Sequence, residues 1–338
     1  MLTDVDGLAH VLSAIAAAGP AEDAGEAPDA SIRAILRTGV LDETRPRQLA
    51  RSLVRIAEAN LPVARLAEGH VNALRLLRLQ DERPPDGQLL GVWGAEADVP
   101  VSCRDGVLLG IKRYASGLGT VDAAVVTVGQ GAECRLALVD TRDARRHRPA
   151  AWRMIGMRAT RSGEIVLDGL VPRWIGRAGD YFVEPGFLGG TWRIAAVQAG
   201  GTLGLVGAAR DVLSARDRLA AEAQVARLAP LLFRAWAAVG LIERAAEMAE
   251  TPEGAADPDA AVALSLGARL LTETLAQDAI AAVERSVGLP HFEECSPTGR
   301  LARDLATYCR QAMGDAFLQK AGRIALERSG PLSASWYG

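Results

Sequence analysis

Cysteine, histidine and aromatic residues are scarce in this sequence. Its 338 residues include 4 cysteines and 4 histidines, and aromatic side chains make up 4% of the chain. The cysteines form no CxxC pair and lie far apart in the sequence: Cys103, Cys134, Cys295 and Cys309. This spacing gives no basis for a disulfide framework or a zinc site. We therefore expect reduced thiols and no bound metal, as in a cytoplasmic protein.

An excess of charge of one sign is also missing. The formal net charge is −3, and a short basic run at residues 143–148 is typical of a solvated loop. A balance this close to neutral gives no electrostatic case for binding a nucleic acid or an anionic membrane surface. We expect neither of these partners.

Long apolar runs are absent as well. The longest uncharged stretch, residues 194–209, is rich in glycine and shorter than the ~20 residues that a membrane-spanning helix needs. Residues 1–10 lack the basic region with which a signal peptide starts. These features predict a cytoplasmic protein without a membrane span.

What remains is the composition of a globular protein, with 49% hydrophobic residues and a length that corresponds to two or three domains. Residues 1–85 carry apolar side chains at helical spacing and predict a short helical domain. Residues 86–186 alternate β-branched runs with turn residues, which predicts a small antiparallel sandwich or barrel. Residues 187–338 are rich in alanine and leucine and predict a helical bundle. The predicted fold class is α+β, with the β domain between two helical ones.

Two details of the helical segments can be checked directly. Pro62 interrupts an apolar periodicity and is expected to separate two helices. Further along, Asp257 and Pro258 form a helix start, and Gly288 with Pro290 forms a stop. Between them runs one apolar stripe: Leu264, Ala268, Leu271, Leu275, Ala279 and Val283.

The stretch "GIKRYASGLGTVDAAVVTV" at residues 110–128 is predicted to form a strand, a glycine-rich turn and a second strand. By itself it is typical of an ordinary hairpin with a packed tyrosine. It also resembles the pattern "G-x-K-x-[WFY]-[IA]-[TS]-[NG]" of the acyl-CoA dehydrogenase family of flavoproteins. Three further stretches resemble motifs of that family, in the same order: residues 153–172, 178–213 and 296–311. The resemblance covers nearly the whole chain and is strongest from Gly110 onward.

This resemblance implies a bound FAD between the β domain and the C-terminal bundle. Tyr114 would pack on the flavin ring, Ser116 would hydrogen-bond near N5 or O4, and Gly117 would allow a close approach. Arg285 and Gly288 take the places of a motif that meets the pyrophosphate. The complete implied cofactor set is Trp93, Tyr114, Ser116, Gly117, Arg285 and Gly288.

The family's reaction needs a carboxylate that removes the α-proton of a fatty acyl thioester. At one of the family's two positions for this base the sequence has Ala312, and at the other it has Trp192 or Ile194. Neither position supplies a carboxylate. The catalytic residue is therefore unknown, and the two nearby acidic residues, Glu184 and Asp315, are candidate substitutes.

Three functions stay open from the sequence. The favoured one is an FAD-dependent oxidoreductase that acts on an acyl-CoA-like thioester with a non-standard base. The alternatives are a flavin-dependent monooxygenase on the same fold, and a non-catalytic descendant that binds flavin or an acyl group. The expected partners are a small-molecule substrate, a second or further copies in a homodimer or tetramer, and an electron-acceptor flavoprotein.

Overall fold

A computed structural model describes residues 5–333, so the outermost ends of the first and third predicted domains lie outside the described residues. The N-terminal domain consists of α1 (Val5–Asp23), α2 (Asp29–Arg37), α3 (Pro46–Ala59) and α4 (Leu61–Arg78). The break expected near Pro62 is confirmed. It falls at Asn60, whose side chain accepts a hydrogen bond from the Val63 N–H at 3.1 Å and so caps α4.

The central domain contains short strands in three sheets, with helices on both sides in the chain. The strands are β1 (Leu90–Trp93), β2 (Ser102–Arg104), β3 (Val107–Leu109), β4 (Ile111–Lys112), β5 (Ala123–Val128), β6 (Arg135–Asp140), β7 (His147–Arg148), β8 (Glu164–Val166) and β9 (Arg173–Ile175). The largest sheet has the order β1-β5-β6-β9, and the others are β2-β3 and β4-β8-β7. The predicted β domain between helical domains is confirmed.

Two aspects of the strand prediction need correction. The sheets are not purely antiparallel, because β1 pairs with β5 in parallel, with Leu90 opposite Ala123. The stretch at residues 110–128 is also not a hairpin. Its first strand, β4, pairs with β8, whereas its second strand, β5, pairs with β1 and β6 in another sheet. Strand partners are chosen by distant segments, so the local pattern does not reveal them.

The C-terminal domain consists of α5 (Trp192–Ser214), α6 (Glu222–Glu250), α7 (Pro252–Ala256), α8 (Pro258–Val287), α9 (Pro297–Tyr308) and α10 (Gly314–Glu327). The predicted limits of the long helix are confirmed. The Asp257 side chain accepts a hydrogen bond from the Ala260 N–H at 3.1 Å, and Gly288 ends the helix with φ 73° and ψ −150°, where glycine is favoured. Most of the predicted stripe is buried, but Leu271 is 38% exposed.

Helix α5 lies against α3 at a distance that only glycine permits. A Cβ atom on Gly200 would lie 2.2 Å from the carbonyl oxygen of Val54 and 2.6 Å from the Cβ of Ala57. One turn further along, a Cβ on Gly204 would lie 2.5 Å from the carbonyl oxygen of Glu58. The glycine-rich stretch of the sequence is therefore the contact face between the N-terminal and C-terminal helical domains.

Helix α6 has an apolar surface that the described chain does not cover. Phe233 and Trp236 are 59% and 60% exposed, and their ring centroids are 5.6 Å apart. By length and composition alone, α6 is the one helix among residues 5–333 that meets the requirements of a membrane span. An exposed apolar face of this kind also occurs where one protein contacts another.

Candidate functional site

The turn between β4 and β5 presents Tyr114 to the outside. Its backbone is left-handed, with φ 54°, and its side chain is 57% exposed. The ring meets Trp152 edge to face, with 6.3 Å between centroids. The indole N–H of Trp152 is buried and has no hydrogen-bond partner among the described residues. An unmet donor beside an exposed aromatic ring fits a planar ligand with acceptor atoms.

A row of hydroxyl groups continues from this turn into the protein. The Ser162 hydroxyl donates to the Ser116 hydroxyl at 3.1 Å and lies 2.8 Å from the hydroxyl of Thr160. The indole N–H of Trp93 donates to the Ser116 carbonyl at 3.1 Å, and this indole is almost fully buried. Trp93 thus fixes the backbone of the turn, and Ser116 is half-buried while Ser162 is buried.

Gly117 has a packing role in the same turn. Its φ is 84°, and a Cβ atom there would lie 2.6 Å from a methyl carbon of Val121 and 3.1 Å from one of Leu66. Glycine is needed so that the turn can close onto α4. Packing alone therefore requires glycine at this position, and the close approach to a flavin that the resemblance implied stays a prediction.

The loop that carries Trp152 is fixed to α9. The backbone N–H of Met157 donates to the Asp304 carboxylate at 2.5 Å. Next to it, a Cβ on Gly156 would lie 2.1 Å from the carbonyl oxygen of Arg303. Asp304 thus ties the β domain to the bundle, and its second carboxylate oxygen lies 3.6 Å from the Arg300 guanidinium.

The loop after α8 reaches the same helix from the other side. The His291 ring lies 3.1 Å from the Thr298 hydroxyl, and a Cβ on Gly299 would lie 2.3 Å from the His291 carbonyl oxygen. Arg285 is exposed and has no hydrogen-bond or ion-pair partner within residues 5–333. The Trp152 loop and the loop after α8 therefore both contact α9, at Arg303 and at Gly299 respectively. That Tyr114, Arg285 and Gly288 hold one cofactor stays a prediction.

Glu184 is not free to act as a base in this structure. Its carboxylate accepts hydrogen bonds from the Leu188 N–H at 2.9 Å and from the Gly189 N–H at 3.3 Å. It therefore caps the turn that precedes α5. It also lines a cavity of about 790 Å³ between the ends of α4 and α6, beside Arg75 and Tyr181.

The other positions considered for the base hold no buried carboxylate. Asp315 is exposed in the first turn of α10. Ala312 is exposed too, and its carbonyl oxygen accepts a hydrogen bond from Arg269 at 3.0 Å. Trp192 is fully buried, and Ile194 is half-buried.

Sequence reasoning missed a polar stripe on the buried helix α4. Arg65, Glu68, Asn72 and Arg75 recur at intervals of three and four, which places them on one face. Arg65 lines a small void next to Trp93 and Ser116, while Arg75 lines the large cavity. These intervals were the feature of the sequence from which the polar stripe could have been predicted. The stripe was overlooked because apolar residues dominate the rest of the helix.

The far end of this stripe belongs to a buried ion network. The Glu250 carboxylate accepts from Arg193 at 2.8 Å and from the Trp192 indole at 3.1 Å, and it also pairs with Arg75. Arg193 donates further to Asn72 at 3.0 Å. Burial lowers the pKa of Arg193, and the charge of Glu250 opposes this shift. The network joins α4, α5 and α6 next to the cavity.

Asp304 makes a pH-dependent contribution to the free energy of unfolding. Burial raises its pKa from 3.8 to about 6, so folding costs more once the carboxyl ionises. The wild type should therefore lose stability as pH rises from about 4 to about 6, by about 3 kcal/mol at 1.36 kcal/mol per pKa unit. Asp304→Asn keeps an acceptor for Met157 and should lack this loss. Urea unfolding of both proteins at pH 4, 5, 6 and 7 tests this, and parallel curves would contradict it.

No family model and no curated protein matches the sequence. Solved structures match the fold over 94–99% of the chain. The dibenzothiophene monooxygenase TdsC from Paenibacillus sp. A11-2 superposes with a TM-score of 0.80 at 18% identity, over 98% of either chain. The HsaA monooxygenase from M. tuberculosis gives 0.75 at 18% identity, over 95% of this chain and 97% of HsaA.

A third similar structure is KijD3 in complex with FMN and dTDP-3-amino-2,3,6-trideoxy-4-keto-3-methyl-D-glucose. Its TM-score is 0.77 at 18% identity, over 99% of this chain and 96% of KijD3. TdsC has also been solved with FMN bound. The chain thus has the acyl-CoA dehydrogenase-like fold that flavin-dependent monooxygenases share, with a helical N-terminal domain, a central β domain and a C-terminal helical bundle.

Proposed function

We propose that this chain is a flavin-dependent monooxygenase and that its flavin is FMN. One observation carries the proposal: neither position of the dehydrogenase base holds a carboxylate, and both substitutes are unsuited, since Glu184 caps a turn and Asp315 is exposed. A monooxygenase needs no base for an α-proton. The structural relatives support the same function. We therefore propose a monooxygenase with FMN in place of the FAD-dependent, acyl-CoA dehydrogenase-like enzyme that the sequence favoured.

The residues around the Tyr114 turn fit a flavin. The unmet indole N–H of Trp152 offers a donor to a ring heteroatom, and the half-buried Ser116 hydroxyl offers a further polar contact. Tyr114 offers an exposed aromatic face. A reduced flavin, when bound, supplies the reaction with molecular oxygen. The protein's part is to orient the ring with these contacts and to exclude bulk water.

The choice of FMN agrees with the groups near the Gly288 loop. FMN has one phosphate and no adenosine, so it needs fewer contacts at that loop than FAD does. Arg285 is the exposed cation there and is suited to a phosphate oxygen. The cavity of about 790 Å³ beside Arg75 is the proposed entrance for the substrate, because Arg75 lies on the same polar stripe of α4 as Arg65, which lines the void next to Ser116.

The proposal is tested by flavin binding and by the reaction with oxygen. Protein incubated with FMN or FAD and then desalted should retain FMN. The bound flavin, reduced under argon and mixed with oxygenated buffer, should reoxidise without an acceptor protein. Reoxidation that needs an acceptor flavoprotein would overturn the monooxygenase, and exclusive retention of FAD would overturn the choice of cofactor.

A matched pair of variants locates the flavin. Trp152→Phe removes the unmet indole donor and should weaken FMN binding about tenfold, the equivalent of one hydrogen bond. Trp236→Phe changes an exposed tryptophan on α6 and should leave FMN binding unchanged. Fluorescence titration of FMN measures both. Equal affinities would show that the flavin lies away from Trp152.

We also propose a homo-oligomer with a contact through α6. The exposed aromatic pair of α6, Phe233 and Trp236, supports this contact, because exposed apolar patches mark interfaces. Trp236→Glu should shift the mass in light scattering toward the monomer. Val99→Glu, at a 71% exposed position in the β domain, is the control and should not shift it. A monomeric wild type at micromolar concentration would contradict this prediction.

A further inference from the structure

A second cavity lies in the N-terminal domain, between α1, α2 and α3. Its volume is about 720 Å³, which is within the range of about 300–1,000 Å³ that small-molecule sites occupy. Each of the three helices contributes to its wall, with Leu8, Ala34 and Ser52 respectively. Neither Tyr114 nor Trp152 lines it, so this cavity is separate from the proposed flavin site. We call it the N-domain groove.

The floor of the N-domain groove is apolar. Leu8 of α1 and Val40 of the turn after α2 line it, with 9% and 3% of their surfaces exposed. Val11 and Ala34 line it as well, and both are half-buried. These four side chains give a hydrocarbon group an aliphatic surface to contact, and the removal of apolar surface from water favours its binding.

Two arginines that line the groove lack a partner among residues 5–333. Arg37 ends α2 and Arg55 lies on α3, and both are exposed without a hydrogen bond or an ion pair to the described chain. A third arginine of the lining, Arg51, is already engaged, because its guanidinium pairs with Glu243 of α6 at 2.7 Å. One free arginine would be an ordinary solvated side chain. Two of them beside one apolar floor fit an anion that has an apolar body.

The acidic residue of the lining does not compensate for these two cations. Glu43 accepts hydrogen bonds from the backbone N–H of Arg45 at 2.8 Å and from the Arg45 guanidinium at 2.7 and 3.0 Å. The side-chain hydrogen bonds from Arg45 lower the pKa of Glu43 to about 2, so its charge is present at neutral pH but is matched by Arg45. The positive charges of Arg37 and Arg55 therefore stay available to a ligand.

We propose that the N-domain groove binds an amphiphilic carboxylate, a molecule with a short aliphatic body and one carboxylate head. The body lies on Leu8 and Val40, and the head lies between Arg37 and Arg55, whose guanidinium groups match the two oxygens of a carboxylate. A neutral alcohol of the same length meets only the floor, and inorganic phosphate meets only the arginines. The proposal does not depend on the flavin function, because the two ligands occupy separate sites.

Sodium octanoate and 1-octanol test the role of the two arginines. Octanoate should bind to the full chain about tenfold more tightly, because only its head forms charge-assisted hydrogen bonds, and titration calorimetry at saturating FMN measures both ligands. Arg37→Gln combined with Arg55→Gln should remove the difference. Arg47→Gln is the matched control and should leave it intact, because Arg47 is an exposed arginine of α3 that pairs with Glu247 at 2.7 Å and does not line the groove. Octanoate affinity that survives the double substitution, or that falls equally in the control, would overturn the proposal.

A further variant locates the bound octanoate. Ala34→Phe places a ring in the groove and should abolish the binding of both ligands, with FMN retention unchanged; if this variant does not fold, the arginine variants decide. Octanoate that binds to Ala34→Phe as it does to the wild type lies elsewhere, and the proposal is wrong. It is also wrong if octanoate binds only after residues 1–4 are deleted, because the groove then belongs to that segment. A lower mass of Arg37→Glu in light scattering would instead assign the groove to a second copy of the chain.

Discussion

Gly200→Ala should destabilise the protein by about 3 kcal/mol or more. The added methyl would lie 2.2 Å from the Val54 carbonyl oxygen, an atom of the α3 backbone that cannot rotate away. Overpacking of a core generally costs about 1–3 kcal/mol, and a clash with backbone lies at the upper end because two helices must separate. The free energy of unfolding in urea, measured at pH 7, gives the effect.

Gly207 on the same helix provides the control. A Cβ atom there meets nothing within 4 Å, and its backbone is helical. Gly207→Ala should therefore stabilise the protein by about 0.5–1 kcal/mol through helix propensity alone. If both variants are equally stable, α5 and α3 are further apart than described. If both lose stability equally, the effect belongs to α5 itself and not to its contact with α3.

Octanoyl-CoA should fail to bleach the bound flavin in the absence of oxygen. General-base catalysis contributes about 10²–10⁴-fold, so α,β-dehydrogenation without a base should be slower by that factor, or about 3–5 kcal/mol in barrier. Both positions for the family's base lack a carboxylate, and Glu184 already accepts two backbone hydrogen bonds. Stopped-flow absorbance with several acyl-CoA chain lengths measures the rate of bleaching.

Rapid bleaching by any of these thioesters would return the assignment to a dehydrogenase. Glu184→Gln and Asp315→Asn would then identify the base, since the true base is needed for bleaching but not for flavin binding. Ala312→Glu is the complementary variant. Because Ala312 is exposed in the described chain, we expect the added carboxylate to bring no dehydrogenase activity. A gain in bleaching would show that this position faces the flavin in the assembled protein.

Some features of the site were readable from the sequence because they are local. Short motifs predicted the exposed tyrosine of the Tyr114 turn and the glycine that ends α8, and the structure has both. The cofactor role of Tyr114, Ser116 and Gly288 stays a prediction. The roles of Gly117 and Glu184 were not readable. Gly117 packs against Leu66, which is far away in the chain. Glu184 accepts hydrogen bonds from backbone N–H groups whose direction depends on the following turn.

The sequence by itself determined the order of the domains, the break before α4 and both ends of α8. Helical periodicity, caps and proline act over a few residues, so these features follow from neighbours in the chain. The tertiary structure alone decided that the two strands of residues 110–128 enter different sheets, and that β1 and β5 run in parallel. It also decided that the Thr272 hydroxyl lies against Gln198 and that Arg269 reaches the Ala312 carbonyl. Each of these features joins residues that are distant in sequence, and only the packing of whole helices and sheets brings such residues together.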